Sequence, residues 1–131
     1  MQPLKLNSLS RLIDVKNRKA KAGMPPGTLI FVGDQLTEKS EIDLISYDGS
    51  GIEEYKSENS TDIIGKLAPQ KVNWINIDGL HNLKLIEEIG QHFDLHPLLV
   101  EDVLNSEHRP KFEYYEHQLF FTLKTLYNLT Q

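Results

Sequence analysis

Apolar positions recur in two rhythms along this chain, strand-like and helix-like, separated by clear punctuation. Gly23-Met24-Pro25-Pro26-Gly27 sets two prolines between glycines, which forbids helix there. Thr28-Leu29-Ile30-Phe31-Val32-Gly33 is short, apolar and partly β-branched, the pattern of a buried strand. Residues 42–47 and 52–56 flank Asp48-Gly49-Ser50-Gly51. Two glycines in that loop supply positive φ at little cost, so these runs predict an antiparallel hairpin. Ser60 or Thr61 is placed to cap a short helix over 62–67, with Asp62 in its first turn. Residues 72–77 alternate: Val72, Trp74 and Asn76 on one face, Asn73, Ile75 and Ile77 on the other, with Trp74 expected in the core.

The rhythm then becomes helical. Asn82 is a plausible cap for residues 83–93, where Leu85, Ile86, Ile89 and Phe93 form one apolar stripe. Gly90 falls inside it. An interior glycine costs about 1 kcal/mol relative to alanine, so close packing is the expected compensation. Residues 94–96 break this helix, Pro97 opens the next in its first turn, and Asn105 ends it. Residues 111–115 and 119–127 read as two strands about a turn at Glu116-His117, the second apolar enough to be central in a sheet. A compact domain rarely stops just after a central strand, so the chain is expected to be truncated, with an incomplete sheet. The order of elements predicts an α/β layer fold. Its sheet is expected to be mixed, antiparallel in the hairpin and parallel where helical crossovers flank residues 72–77.

Composition narrows the function classes. The 131 residues suffice for one domain with a real core, and 39% hydrophobic with 25% charged residues is ordinary for a soluble chain. There is no cysteine, which excludes disulfides, thiolate metal sites and a cysteine nucleophile. No apolar run approaches the ~20 residues of a membrane span, and no hydrophobic stretch follows the basic N-terminus as in a secretory signal. Residues 1–23 hold six basic groups and one acid, a net of +5, so the remainder carries −10 of the total −5. That leader reads as a solvated, partly disordered arm, and the acidic body argues against nucleic acid and for a surface that attracts cations.

Two clusters are candidates for chemistry. Glu101 and Asp102 lie in the helix opened by Pro97. Neighbouring helical residues point about 100° apart, so the two do not chelate one ion as a local pair. Each offers an oxygen to something beyond the helix, which suits a hard cation such as Mg2+. On spacing alone, two solvated acids on a polar helix face are the simpler explanation. His92 and His96 stand four apart, with His108 downstream, but the glutamate of a zinc-protease motif is missing and Pro97 spoils the helical geometry. No serine sits in a nucleophile elbow, and no phosphate loop is present. Tyr114, Tyr115, Phe120 and Phe121 are expected to pack in the core.

Three stretches resemble the CorA-type magnesium and cobalt transporters. They are Pro25-Pro26-Gly27-Thr28-Leu29 with Phe31-Val32-Gly33; Trp74-Ile75-Asn76-Ile77-Asp78-Gly79-Leu80-His81; and His96-Pro97-Leu98 with Glu101-Asp102, Leu104-Asn105, Arg109-Pro110-Lys111 and Leu119-Phe120. The resemblance implies that residues 24–131 are the first part of a cytoplasmic domain with α/β/α layering. It implies a role as the Mg2+-sensing regulatory domain of a homopentameric Mg2+/Co2+ channel at the cytoplasmic face of the inner membrane, and no enzymatic activity. Similar proteins carry a long helix, two membrane helices and a Gly-Met-Asn loop, none of which is in this sequence. Asp102 matches an acid that holds a regulatory ion between subunits, and Glu101 matches one near a second ion. The partner acid comes from the long helix of the adjacent subunit, so Mg2+ binding to this chain alone is expected to be weak. The chain by itself is expected to be soluble and cytoplasmic, as a monomer or a non-physiological dimer. Two rivals stand beside this reading: a free-standing interaction domain of the same fold without transport, and a metal-dependent hydrolase using His92, His96 or His108.

Overall fold

A computed structural model describes residues 23–125; the leader but for Gly23, and residues 126–131 with the end of the last expected strand, lie outside the described residues. Strands β1 (Glu41–Asp48) and β2 (Gly51–Ser57) form the expected hairpin. The Asp48 carboxylate accepts from the Ser50 amide at 2.8 Å and from its hydroxyl at 2.6 Å, which fixes the turn. Helix α1 (Ser60–Ile64) follows, shorter than expected and begun two residues earlier, with Asn59 at its N-cap. The Ser60 hydroxyl is used elsewhere, on the Glu88 carboxylate.

Strand β3 (Val72–Asp78) corrects the expectation of parallel pairing. The sheet order is β2-β1-β3, and β1 is antiparallel to both neighbours. β2 and β3 do run the same way and are joined through a helix, as a crossover requires. They are not adjacent, because β1 lies between them, so no parallel ladder forms in this sheet. Among the described residues the parallel contact is an isolated bridge, Val32 to Asn105. That bridge is what remains of the strand expected at residues 28–33. Val32 donates to Leu104 O at 2.8 Å and accepts from Ser106 N at 3.0 Å. Pairing stops at Gly33, whose φ of +143° bends the chain against Ser106.

Among the described residues, helices cover one face of the sheet only. Ile42 and Leu44 point inward and are fully buried with Ile63, Leu85, Ile86, Ile89, Val100 and Leu104, and Ile75 and Ile77 of β3 pack against this cluster. The alternation in β3 is as expected, but its faces are reversed in importance. Trp74 points to the uncovered side and is 62% exposed.

Helix α2 (Leu83–His92) begins at Asn82, whose side chain accepts from Leu85 N. It buries Leu85, Ile86, Ile89 and Gly90 against α3 (Pro97–Val103) and the sheet. A Cβ on Gly90 would stand 3.0 Å from Val100 Cγ2, so the glycine admits α3 at close range. Strands β4 (Lys111–Tyr115) and β5 (Gln118–Thr122) form a separate antiparallel pair. Gln118 anchors it by donating to Asp94 O at 3.0 Å and Phe93 O at 3.3 Å. β5 is neither long nor central, and Phe112, Tyr114, Leu119 and Phe121 lie exposed on its and β4's outer face. The core placement expected for Tyr114 and Phe121 is thereby corrected. The structure bears out the mixed α/β class, and the sheets among the described residues are antiparallel where a mixed sheet was expected.

Candidate metal site

Local rules set the helix that carries the acids. Pro97 lacks an amide hydrogen, which the first turn of a helix does not use, and its fixed φ suits that position. His96 caps the helix, its Nδ1 accepting from Leu98 N at 3.2 Å. Leu99, Val100 and Leu104 are buried. Their burial fixes the rotation of α3 and turns Glu101 and Asp102 toward different neighbours.

Glu101 Oε2 accepts from the Gly27 amide at 2.8 Å. Asp102 faces the other way, toward β4 and the loop before it. Its Oδ1 lies 2.8 Å from His108 Nε2, and its Oδ2 accepts from Lys111 Nζ at 2.7 Å. The side chain is 18% exposed. Lys111 is shared, since the same ammonium donates to Glu113 Oε2 at 3.0 Å. Tyr115 O–H donates to that oxygen at 2.8 Å. Strand geometry explains this half of the cluster. Lys111, Glu113 and Tyr115 alternate along β4 and share one face.

The electrostatics follow from those contacts. Burial by itself raises the pKa of Asp102, but the hydrogen bond and charge of Lys111, with a smaller contribution from His108, outweigh it and hold the carboxyl below its usual range. Burial works against the Lys111 ammonium, and the bonds to Asp102 and Glu113 more than compensate, so its pKa is raised. Glu113 is held low, first by Lys111 and then by Tyr115. Asp102 is therefore an ionised carboxylate near neutral pH, as a hard cation requires of an oxygen ligand.

The three histidines are not brought together. His92 meets Phe93 edge-on at 4.8 Å, His96 stacks on Tyr115 at 5.1 Å, and His108 holds Asp102. Among the described residues no group of three or more His, Asp or Glu side chains converges as a complete metal cage. As a donor set, Asp102 fits one ligand position of a Mg2+ site that keeps several waters and takes further carboxylates from elsewhere. Arg109 is exposed, and Lys111 is the cation on Asp102. Lys111, Glu113 and Tyr115 were the residues that sequence reasoning missed, although their period-two spacing after Arg109-Pro110 places them on one face.

Comparison with known proteins bears on this arrangement. Residues 69–131 match the family model described as CorA-like Mg2+ transporter protein. The chain is also 37% identical over 115 residues to the cobalt/magnesium transport protein CorA of Thermotoga maritima. That match covers 86% of this chain and 32% of the relative, so the chain spans about a third of the length of the curated relative it matches. The matched family is one of ion transporters, not enzymes, which sets aside the hydrolase reading. No helix among the described residues is long and apolar enough to cross a membrane. The chain belongs to the CorA-like Mg2+ transporter family.

Proposed function

We propose that this chain is the first part of a cytoplasmic, Mg2+-sensing regulatory domain of a divalent cation (Mg2+/Co2+) transporter, in which Asp102 is one ligand of a regulatory ion held between subunits. One observation carries the reading. In a member of this family, the helix opened by His96-Pro97 presents an ionised, partly exposed Asp102 at its C-terminal end, with its charge maintained by Lys111 and His108. Glu101 is engaged with Gly27 and points elsewhere, so it belongs at most to a second ion.

The physical logic is linkage. Acidic surfaces of neighbouring domains repel, and a divalent ion between them neutralises and bridges them. Such an ion shifts the closed–open equilibrium only by its difference in affinity for the two states. A homopentamer with this domain at the cytoplasmic face of the membrane, the transporter closed at high Mg2+, is the arrangement the reading requires. The exposed apolar outer faces, with Ile52, Val72 and Trp74 on one sheet and Phe112 and Phe121 on the other, support a further layer of structure over them, as in an α/β/α domain.

The test is Mg2+ inhibition of transport by the whole transporter carrying Asp102→Asn. Loss of one carboxylate ligand is expected to raise the half-inhibiting Mg2+ concentration about tenfold or more, so that the response is lost over the range in which the wild type responds. Wild-type inhibition in that variant removes Asp102 from the mechanism.

A further inference from the structure

Asp102 already holds a cation. Both of its oxygens are occupied, Oδ1 by His108 and Oδ2 by the Lys111 ammonium at 2.7 Å. Lys111 in turn stands between two carboxylates, with Glu113 Oε2 at 3.0 Å as its second acceptor. Glu113 is prepared for that role, because Tyr115 orients the same oxygen and the strand pairings Lys111 to Thr122 and Glu113 to Phe120 hold both residues in register. The lysine side chain is 25% exposed and lies 5.3 Å from the Phe120 ring, on a flexible stem.

A divalent ion and an ammonium compete for one carboxylate. Mg2+ takes its ligands at about 2.0–2.1 Å in a near-octahedral shell, which brings like charges into contact if Lys111 stays on the same oxygen. The ammonium has somewhere to go. Moved fully to Glu113, it keeps a carboxylate partner and is not stranded as an unpaired charge. We infer that Lys111 is a built-in competitor cation at Asp102, displaced toward Glu113 when a divalent ion binds, and that it sets the ion concentration at which the site responds. The inference rests on the proposal that Asp102 is a metal ligand.

The experiment uses the whole transporter and titrates MgCl2, reading half-maximal protection against limited proteolysis together with half-inhibition of transport. Four variants are compared: Lys111→Met, Lys111→Arg, Lys56→Met and Asp102→Asn. Lys56 pairs with Asp43 and removes the same charge from a different ion pair. Lys111→Met is expected to lower both midpoints by about two- to fivefold, the worth of a partly exposed ion pair. Structural damage alone would move them the other way. Lys111→Arg should stay near wild type, Lys56→Met should not shift, and Asp102→Asn should lose the response. Unchanged or raised midpoints in Lys111→Met, with the response lost in Asp102→Asn, would overturn the competitor role and leave Asp102 standing. An equal shift in Lys56→Met, or an arginine variant that behaves like the methionine one, would also overturn it. A wild-type response in Asp102→Asn removes the metal reading and this inference with it. If Lys111→Met does not fold, Glu113→Gln serves: it deprives the displaced lysine of its acceptor and should raise the midpoints, and unchanged midpoints count against the inference.

Discussion

Gly90→Ala is a substitution for which two effects of similar size oppose each other. Replacing an interior helical glycine with alanine stabilises a helix by about 1 kcal/mol when space allows. Here the new methyl would stand 3.0 Å from Val100 Cγ2. Val100 is buried and β-branched, so it has essentially one side-chain conformation in a helix and little freedom to retreat. Forcing an extra methyl into a packed core costs about 1–3 kcal/mol. The net expectation is destabilisation of up to about 2 kcal/mol, read by urea unfolding of the chain. A second background makes the reasoning sharper. Val100→Ala removes the obstructing methyl groups at a cost of about 2 kcal/mol from lost burial. In that background the alanine at position 90 enters vacant space, and Gly90→Ala should become stabilising by about 1 kcal/mol. The double-mutant cycle should therefore show a coupling of about 1–3 kcal/mol, with a change of sign between backgrounds. If Gly90→Ala is stabilising by itself and the coupling is near zero, the contact between α2 and α3 does not depend on this glycine.

Other expectations are equally direct. Trp74 should emit at long wavelength and be quenched readily by acrylamide in the isolated chain, and Trp74→Lys should change its stability by no more than about 0.5 kcal/mol; a blue-shifted, protected tryptophan would contradict the open outer face. Because the folded-state pKa of Asp102 lies below its unfolded value near ~3.9, its pairing stabilises the fold fully above that value and loses effect as pH falls through the lowered folded value. Acid unfolding of Asp102→Asn should thus be less steep than wild type over that interval, and an identical profile would show that the pair adds nothing. Calorimetric titration of the isolated chain with MgCl2 should give weak binding, in the millimolar range, since Asp102 supplies one carboxylate where Mg2+ sites use one or two with several waters. Tight stoichiometric binding would mean that the site is complete within this chain.

The parts of the fold legible in the sequence are those with local causes. Asp48-Gly49-Ser50-Gly51 specifies its hairpin within four residues, and Asn82 and Pro97 mark helix starts through groups that lie beside them in the chain. Strand adjacency has no such local mark. The alternation of residues 72–77 shows two faces, but not which one the helices cover, and a tryptophan is apolar enough to suggest the wrong one. Residues 28–33 carry the composition of a strand, yet among the described residues only Val32 meets a strand partner, and the bend at Gly33 ends the pairing at once. Strand propensity of this kind depends on the surface that a residue faces, which the run itself does not encode.

The candidate site divides along the same line. The sequence places Glu101 and Asp102 on a short helix and gives their divergence from helical geometry alone. What it does not give is that the burial of Leu99, Val100 and Leu104 rotates α3 so that Asp102 meets β4, an element that follows it in the chain after a loop. That meeting changes the meaning of the acid. A carboxylate on a solvated helix face is one charge among the many of an acidic surface, whereas Asp102 is held ionised at 18% exposure by a lysine that has a second carboxylate within reach. Lys111 is visible in the sequence only as the residue after Arg109-Pro110, where a conventional reading assigns the important cation to the arginine. The sheet's period of two decides otherwise. It sets Lys111, Glu113 and Tyr115 on the face toward α3 and leaves Phe112 and Tyr114 outward, so the polarity of β4 is opposite to that of a strand whose apolar face packs on its own core. An inward row of polar side chains beside an ionised aspartate is difficult to explain by packing, and it is the reason for proposing that a divalent ion binds at this end of α3.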